Sequence, residues 1–402
     1  MKDELHLSPA DMASINGITM LPWVVKPLYG FLSDNVPLYG YRRRSYLILS
    51  GILGCLSWLS LGMNTSKSIP AVVSAIFIGS AAVALSDVVV DSIVVERSRI
   101  DETIHDNVVS KAGDLQSLCW SAAAAGGILS AYSSGSLLEE FSPQIIFYIT
   151  AIFPLLVSIA AFFIPETYVN SNDENMKSDK KPALSVFKSQ FGEIWKTLRN
   201  PSIYLPVLFV FFWQSTPDSG AAMFYFNTNE LHFTPGFLGQ VRLASSIASL
   251  VGVIIFRNIL QDKSIKDIIF WTTILSVPLG LSQVLLTTHI NRDWNIPDEL
   301  FMLTDSVVLA ALGQVAFMPT LVLASKLCPP GSEGTLFATL MSIYNLSHTV
   351  AAELGSWLTS ALGVVNGNYD NLTLLVAICA SSGIIPLFFL FLLDSDVDSE
   401  KP

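Results

Sequence analysis

Two carboxylates four residues apart, Asp87 and Asp91, lie near the end of a long apolar segment. A spacing of four places both on one face of a helix. Two close carboxylates resist being ionised together, so one of them is a candidate proton carrier or substrate contact. The alternative is a structural ion pair with the arginines around Arg97 and Arg42.

A third carboxylate, Asp218, lies within another apolar segment, with Gln214 one helical turn before it. Pro217 precedes this carboxylate and Gly220 follows it, which predicts a broken helix. The free backbone groups of a broken helix can bind a polar substrate. We therefore predict that Asp218 and Gln214 contact substrate or a proton. A polar network that only joins packed helices is the alternative.

Two cations, Lys26 and Arg242, also lie inside apolar segments. A cation is a natural partner for an anionic substrate. Lys26 precedes Pro27 deep in its segment, whereas Arg242 is about two turns from a segment end, from which a long side chain can extend to the surface. Aromatic rings are candidates for stacking on a planar ligand, with packing or interfacial anchoring as the alternative. These aromatic candidates are Trp23, Trp120 and Trp213.

Three further ionisable residues lie in the last third of the chain. Asp305 is in the first turns of its segment, so it is either an interfacial carboxylate or part of a cavity. Glu353 is deeper and shares its segment with His348, which suggests a proton relay. A buried, hydrogen-bonded histidine explains His348 equally well.

The elements that hold these residues are predicted from composition. The chain is 51% hydrophobic and only 14% charged, and its mean hydropathy is +0.53. Apolar runs long enough to cross about 30 Å of hydrocarbon recur along it. The fold class is therefore an all-α polytopic membrane protein. Eleven spans are predicted, at 12–32, 45–63, 70–95, 113–135, 143–164, 202–226, 236–257, 267–289, 300–325, 335–362 and 371–393.

One long polar stretch divides these spans into five and six. We predict an N-terminal half-bundle over 1–164, a central linker over 165–201 and a C-terminal half-bundle over 202–402. The end of the linker has helical periodicity and could lie on the membrane surface. Most of the 22 Lys and Arg residues fall in the linker and in loops on its side, which places the linker in the cytoplasm or its equivalent.

A short repeat relates the two halves. DELHLSP at 3–9 matches NELHFTP at 229–235, 226 positions later. The second copy follows a predicted span, and the first does not. Weak internal symmetry of this kind is typical of transporters built from two halves. We interpret the chain as a 6+6 fold whose first helix is missing from this sequence. Chance similarity over seven residues is the alternative.

An acidic residue followed by a basic cluster occurs in PWVVKPLYGFLSDNVPLYGYRRRSYL, residues 22–47. This pattern resembles the loop between the second and third helices of the major facilitator superfamily. The resemblance implies a cytoplasmic latch that breaks and re-forms during transport. Its expected members are Asp34, Arg42, Arg43, Arg44 and Arg97. Positive-inside topology alone would explain the arginines but not Asp34.

Longer strings resemble the folate–biopterin transporter family over essentially the whole chain. They are KPLYGFLSD with PLYGYRRRSYL, SDVVVDSIVVERSR at 86–99 and FVFFWQSTPDSGAAMFYF at 209–226. The resemblance implies transport of folates or pterins, driven by protons, through a major-facilitator fold. Two alternatives stay open: a transporter of another organic solute, and a truncated membrane protein that does not transport.

Other classes of function find little support. No nucleophile–base or metal-ligand spacing is present, so we expect no enzyme, metal or cofactor. A net charge of -11 argues against nucleic acid as a partner. The expected partners are a small-molecule substrate, protons and the lipid bilayer, and the protein is expected to be a monomer. The family resemblance implies a plastid envelope or a plasma membrane.

Overall fold

The computed structural model is helical through most of the chain that it describes. Described are residues 5–63, 68–104, 109–166, 168, 192, 199–260, 263–326 and 333–393. Only the backbone is described at 95–104, 109–118, 120, 121, 124, 321, 322, 324–326 and 333–337. The predicted surface helix of the linker lies almost entirely outside the described residues, as does most of the linker.

Fourteen α-helices make up the described chain. They are α1 (Pro9–Val24), α2 (Lys26–Asn35), α3 (Arg44–Met63), α4 (Ile69–Ile104), α5 (Val109–Glu140), α6 (Pro143–Phe162), α7 (Pro201–Gln214), α8 (Gly220–Asn229), α9 (Pro235–Ile255), α10 (Ile265–Thr287), α11 (Ile290–Asp293), α12 (Asp298–Lys326), α13 (Glu333–Ala361) and α14 (Leu372–Ser382). A π-helical turn, Phe256–Leu260, extends α9, and a 3₁₀-helix, Ile385–Leu392, follows α14.

Seven stretches of the described helices are long and apolar enough to cross a membrane. They are Arg44–Met63, Ile69–Val94, Pro143–Phe162, Pro235–Leu260, Ile265–Thr287, Asp298–Thr320 and Leu372–Leu392. Two other predicted spans are each divided between consecutive helices, 12–32 between α1 and α2 and 202–226 between α7 and α8. The count of eleven spans stays a prediction.

The two copies of the sequence repeat have the same backbone conformation. His6 and His232, at equivalent positions, both have left-handed φ angles, of 51° and 55°. A residue in the left-handed conformation turns the chain sharply, and residues other than glycine rarely adopt this conformation. Three residues after the histidine, each copy of the repeat begins a helix with proline, α1 at Pro9 and α9 at Pro235. The repeat is therefore structural as well as sequential.

A side chain also caps the N-terminus of each of these two helices. The Thr234 hydroxyl accepts a hydrogen bond of 3.2 Å from the Phe237 amide. The Ser8 hydroxyl accepts one of 3.1 Å from the Asp11 amide. The Asp11 carboxylate in turn accepts one of 3.1 Å from the Ser8 amide, which completes a capping box.

By their contacts the residues form two compact units. The first comprises Met1–Met20, Gly127–Glu140 and Asn200–Pro402, and the second comprises Leu21–Gly126 and Phe141–Arg199. The predicted division into half-bundles stays a prediction.

The core of the first unit has two clusters of buried apolar side chains. One joins α8, α10 and α14, around Phe226, Leu286 and Leu375. The other joins α7, α10 and α12, with Phe209 and Ile269 fully buried. Helices α5 and α9 cross closely, because a Cβ atom on Gly239 would lie 2.9 Å from the Gly135 Cα.

The core of the second unit joins α3, α4 and α6. Its buried members are Tyr46, Leu47, Val89 and Ala161. The Ser158 hydroxyl of α6 donates a 2.8 Å hydrogen bond to the Ile48 carbonyl of α3. This core fixes α4, the helix that carries Asp87 and Asp91.

Candidate functional site

Lys26 and Asp87 form an ion pair inside the second unit. Their Nζ and Oδ2 atoms are 2.6 Å apart. The Lys26 side chain is only 15% exposed, whereas that of Asp87 is 40% exposed. Both residues were predicted as site residues, but the pairing was not, since 61 positions separate them. The structure thus brings a predicted cation and a predicted carboxylate into direct contact.

The pair lies at a helix break. The backbone at Val25, with φ −94° and ψ 16°, separates α1 from α2, and Lys26 is the first residue of α2. The N-terminus of a helix carries partial positive charge and disfavours a cation. Lys26 therefore depends on Asp87 for its electrostatic stabilisation more than a lysine elsewhere on a helix would.

An aromatic ring completes this cluster. The Lys26 ammonium lies 4.5 Å from the centre of the Trp23 ring, which is cation–π distance. The indole nitrogen of Trp23 donates a 3.1 Å hydrogen bond to the Ser80 hydroxyl of α4. Trp23 is thereby held in place beside the ammonium group.

Asp91 lies one turn beyond Asp87 on α4 and interacts electrostatically with both Asp87 and Lys26. Its side chain is exposed. One cluster, which we call the Lys26 cluster, therefore contains Trp23, Lys26, Asp87 and Asp91. Two carboxylates share one ammonium group in it, so it holds one excess negative charge when all three are ionised.

Two of the residues predicted to form a latch, Arg43 and Asp34, are in direct contact, and the latch role stays a prediction. Arg43 pairs with Asp34 at 2.5 Å and donates a 2.8 Å hydrogen bond to the Ser33 hydroxyl. Arg44 lies over the rings of Tyr41 and Phe162. The side chain of Arg42 forms no ion pair within the described chain, and the side chain of Arg97 lies outside the described residues.

A further acidic residue, Glu166, contacts the loop that carries the predicted latch arginines, and sequence analysis missed it. The Glu166 carboxylate accepts hydrogen bonds from the amides of Arg42, Arg43 and Arg44, at 2.7, 3.0 and 2.8 Å. It thus caps the N-terminus of α3, where a negative charge is favourable. The only indication of this role in the sequence was that Glu166 directly follows Pro165, shortly after α6 ends at Phe162.

In the first unit, Asp218 lies in the predicted break, between α7 and α8. Its carboxylate accepts a 3.1 Å hydrogen bond from the Gly220 amide, and its side chain is exposed. It also interacts electrostatically with His348 of α13. The His348 ring contacts Tyr344 edge-on, with centroids 4.6 Å apart. We call Asp218, Tyr344 and His348 the Asp218 cluster.

Glu353 lies one to two turns beyond His348 on α13, and it too has a partner in the first unit. Its Oε2 atom accepts a 3.0 Å hydrogen bond from the Ser14 hydroxyl of α1. The Ser356 hydroxyl donates a 2.9 Å hydrogen bond to the Ala10 carbonyl. Polar contacts therefore join the first turns of α1 to α13, 339 positions apart in sequence at Glu353.

The other predicted residues do not join either cluster. Asp305 accepts a 2.5 Å hydrogen bond from the Ser282 hydroxyl of α10, which fits an interhelical contact. Gln214 ends α7, and Arg242 is exposed on α9. Within the described chain the side chain of Arg242 forms no ion pair. The roles predicted for these residues stay predictions.

Comparison with known proteins shows the family. The sequence profile of the BT1 family matches residues 1–401. The chain is 48% identical over 393 residues to the folate-biopterin transporter of Synechocystis sp., covering 98% of this chain and 76% of that protein. It is 30% identical over 400 residues to folate transporter 2 of Plasmodium falciparum, covering 100% and 84%.

Solved structures show the same fold at low sequence identity. The nucleoside transporter NupG superposes with a TM-score of 0.69 at 12% identity, covering 100% of this chain and 93% of that one. A D-xylose-proton symporter superposes with a TM-score of 0.65 at 14% identity, covering 98% and 91%. The predicted all-helical, major-facilitator-type fold is confirmed, and the protein is an integral multi-pass membrane protein. The chain belongs to the BT1 family, the folate–biopterin transporters, as the segments around Lys26, Asp87 and Asp218 indicated.

Proposed function

We propose that the protein is a secondary active transporter of folates or pterins, coupled to protons and working by alternating access as a monomer. Membership of the BT1 family supports the transport function and the substrate class. The observation that carries the proposed mechanism is the ion pair between Lys26 and Asp87 at the break between α1 and α2. We place the substrate and proton site at the Lys26 cluster.

The chemistry follows from competition for one ammonium group. A folate carries carboxylates, and one of them can replace Asp87 as the partner of Lys26. Asp87 then loses its counter-ion while the negative charges of Asp91 and of the substrate lie nearby, which favours its protonated form. Anion and proton therefore enter the site together. When the substrate leaves, Lys26 takes back the Asp87 carboxylate, and the proton is released.

Trp23 supplies the aromatic part of this recognition. It lies 4.5 Å from the ammonium group, so a ligand whose carboxylate reaches Lys26 can place its ring against the indole. Stacked aromatic pairs contribute about 1 kcal/mol beyond their buried area. The Asp218 cluster contains a carboxylate and an imidazole, which we propose as an additional proton site.

The test is uptake of labelled folate into inside-out and right-side-out vesicles, with and without an imposed pH gradient. Asp87→Asn should retain exchange of folate across the membrane but lose stimulation by the gradient, because the residue can no longer carry the proton. Lys26→Gln should reduce both activities at least tenfold, through the lost ion pair with substrate. The matched control variants are Lys266→Gln and Glu299→Gln, which change charge outside the cluster.

The outcomes separate the parts of the proposal. If the unaltered protein is inserted in the membrane and exchanges no folate or pterin, the substrate class is wrong, and another organic solute must be sought. If it transports folate but Lys26→Gln is as active as the control variants, the site is wrong. If Asp87→Asn keeps its response to the gradient, protons are not coupled through Asp87.

A further inference from the structure

A deep apolar groove runs along the surface of the first unit, between α9, α10 and α12. Its volume is about 1070 Å³. Small side chains form its floor, Ala248 and Ala311 among them, and large exposed ones form its rim, such as Ile247 and Leu275. No residue of the Lys26 cluster or the Asp218 cluster lines this groove.

The groove has the length of a lipid chain. Its lining on the α9 side extends from Ala244 to Leu260. Sixteen helical rises of 1.5 Å make this about 24 Å. One leaflet of the hydrocarbon core is about half of 30 Å thick. The groove can therefore accommodate an acyl chain along one whole leaflet, together with the glycerol region next to it.

Charge is confined to one end. Among the lining residues only Lys263 and Asp267 are charged, and both are exposed. Neither side chain forms an ion pair with any residue in the described part of the chain. The Lys and Arg distribution predicts that this end faces the cytoplasm, since Arg257 and Lys266 are close by in sequence.

The order of side chains along this wall matches the layers of a leaflet. Asp267, Trp271 and Leu275 follow one another at intervals of four on α10, so they form one stripe, and Lys263 lies just before this helix begins. The stripe begins with charge, continues with a tryptophan that is 60% exposed, and ends in aliphatic side chains. Tryptophan is enriched at the headgroup level of membranes. The stripe therefore matches a headgroup, an interface and an acyl chain in turn.

The helix that forms the opposite wall changes geometry at the charged end. There α9 continues as a π-helical turn over Phe256–Leu260, and Leu260 lines the groove. Single π-helical turns are rare and often occur at functional sites. At this turn the backbone widens beside Lys263.

We propose that this groove binds one aminophospholipid of the cytoplasmic leaflet. Lys263 pairs with its phosphate, Asp267 accepts hydrogen bonds from its ammonium group, and one acyl chain lies against Ala248 and Ala311. One cation and one anion at the mouth complement a zwitterionic headgroup better than a purely anionic one. A folate or pterin is a poor occupant, because the walls offer almost no partners for its polar edges.

The experiment measures lipid binding to the purified, delipidated full chain by native mass spectrometry. The probes are phosphatidylethanolamine, phosphatidylcholine and phosphatidylglycerol with identical acyl chains. We expect one phosphatidylethanolamine per chain, bound more tightly than the other two lipids. Phosphatidylcholine has no ammonium hydrogen to donate, and phosphatidylglycerol has no cation for Asp267.

Three variants separate the contributions. Lys263→Gln should weaken binding of all three lipids about tenfold, the effect of one charge-assisted hydrogen bond. Asp267→Asn should remove only the preference for phosphatidylethanolamine over the other two lipids. Val251→Trp should block the groove and abolish retention; the native residue is exposed on its rim, so the fold should tolerate the change. Lys266→Gln, which does not line the groove, is the matched control.

Several results would overturn the inference. Equal retention of phosphatidylethanolamine and phosphatidylglycerol by the unaltered protein would reject the headgroup assignment. Unchanged lipid binding by monodisperse Val251→Trp protein would reject the groove as the site. Equal losses of lipid affinity in Lys263→Gln and Lys266→Gln would reject it as well. A lipid-free dimer whose association Val251→Trp prevents would show that a second copy of the chain covers the groove.

Discussion

Removing either partner of the Lys26–Asp87 pair should have unequal costs. At 2.6 Å and an effective dielectric constant of about 20, the attraction between the two charges is about 6 kcal/mol. Desolvation of Lys26 offsets much of this, and solvent screening of the 40%-exposed Asp87 offsets more. We therefore expect a net coupling of about 2 kcal/mol between the two side chains.

The exposure of each partner predicts which variant is worse. Asp87→Asn leaves an ammonium group that is 15% exposed, without its directly bonded partner and at a helix N-terminus. Its free energy of unfolding should fall by about 3 kcal/mol. Lys26→Met leaves a carboxylate with access to solvent, so the fall should be only about 1 kcal/mol. The double variant should lose about 2 kcal/mol less than the two single variants together.

Reversible unfolding of the purified protein in mixed micelles with increasing dodecyl sulfate measures these values. The Arg292–Asp298 pair, 2.7 Å apart, provides a comparison cycle in which the cation is the exposed partner, at 53%. The hydrogen bond with Asp298 raises the pKa of the Arg292 guanidinium, so the cation of this comparison pair stays charged. Equal losses from the two Lys26–Asp87 single variants, or additivity within about 0.5 kcal/mol, would refute the reasoning.

Three other substitutions test the helix contacts. Glu166→Ala removes the acceptor for three amides at the start of α3 and should lower the free energy of unfolding, measured by thermal unfolding, by about 1–2 kcal/mol. Glu166→Asp should restore part of this loss. No change in Glu166→Ala would mean that water replaces the carboxylate. Gly239→Val puts a side chain against Gly135 and should severely reduce the yield of monodisperse protein. Gly313→Ala is the control, because its new methyl group meets only open space and should be neutral or should stabilise the protein by up to about 1 kcal/mol. Similar yields of the two variants would contradict the close crossing of α5 and α9. Thr234→Ala should lower the free energy of unfolding by about 1 kcal/mol, and Thr234→Ser should lower it by almost nothing. Chemical unfolding measures both values, and equal values would show that the cap contributes little.

Local features of the fold could be predicted from sequence because their causes are local. Apolar runs predict helices, and Pro217 with Gly220 predicts the break at Asp218. The caps at Ser8 and Thr234 follow from residue type and position. The break at Val25 was missed, because Pro27 alone does not show whether a helix kinks or restarts.

Contacts between distant residues could not be predicted in the same way. The ionisable residues Lys26 and Asp87 could be selected because charge is costly in apolar segments. Their pairing depends on how α2 and α4 pack, which no spacing within one helix reveals. Ser14, the partner of Glu353, was missed for the same reason. Glu166 was missed because a carboxylate at the edge of a charged linker has the appearance of a solvated one.

The shared geometry of the two repeat copies bears on how the halves diverged. Carried forward by the same 226 positions, Lys26 falls on Gly252 and Asp87 falls on Gly313. Around Gly252 the helices α9 and α12 touch through backbone, since a Cβ atom there would lie 2.5 Å from the Ala311 carbonyl oxygen. The equivalent crossing of α2 and α4 is instead bridged by charge. A glycine contact can only be tight or broken, whereas a charged one can change partners. If the two predicted halves share an ancestor, as we propose, one helix crossing has become a fixed backbone contact in one half and an ion pair able to change partners in the other.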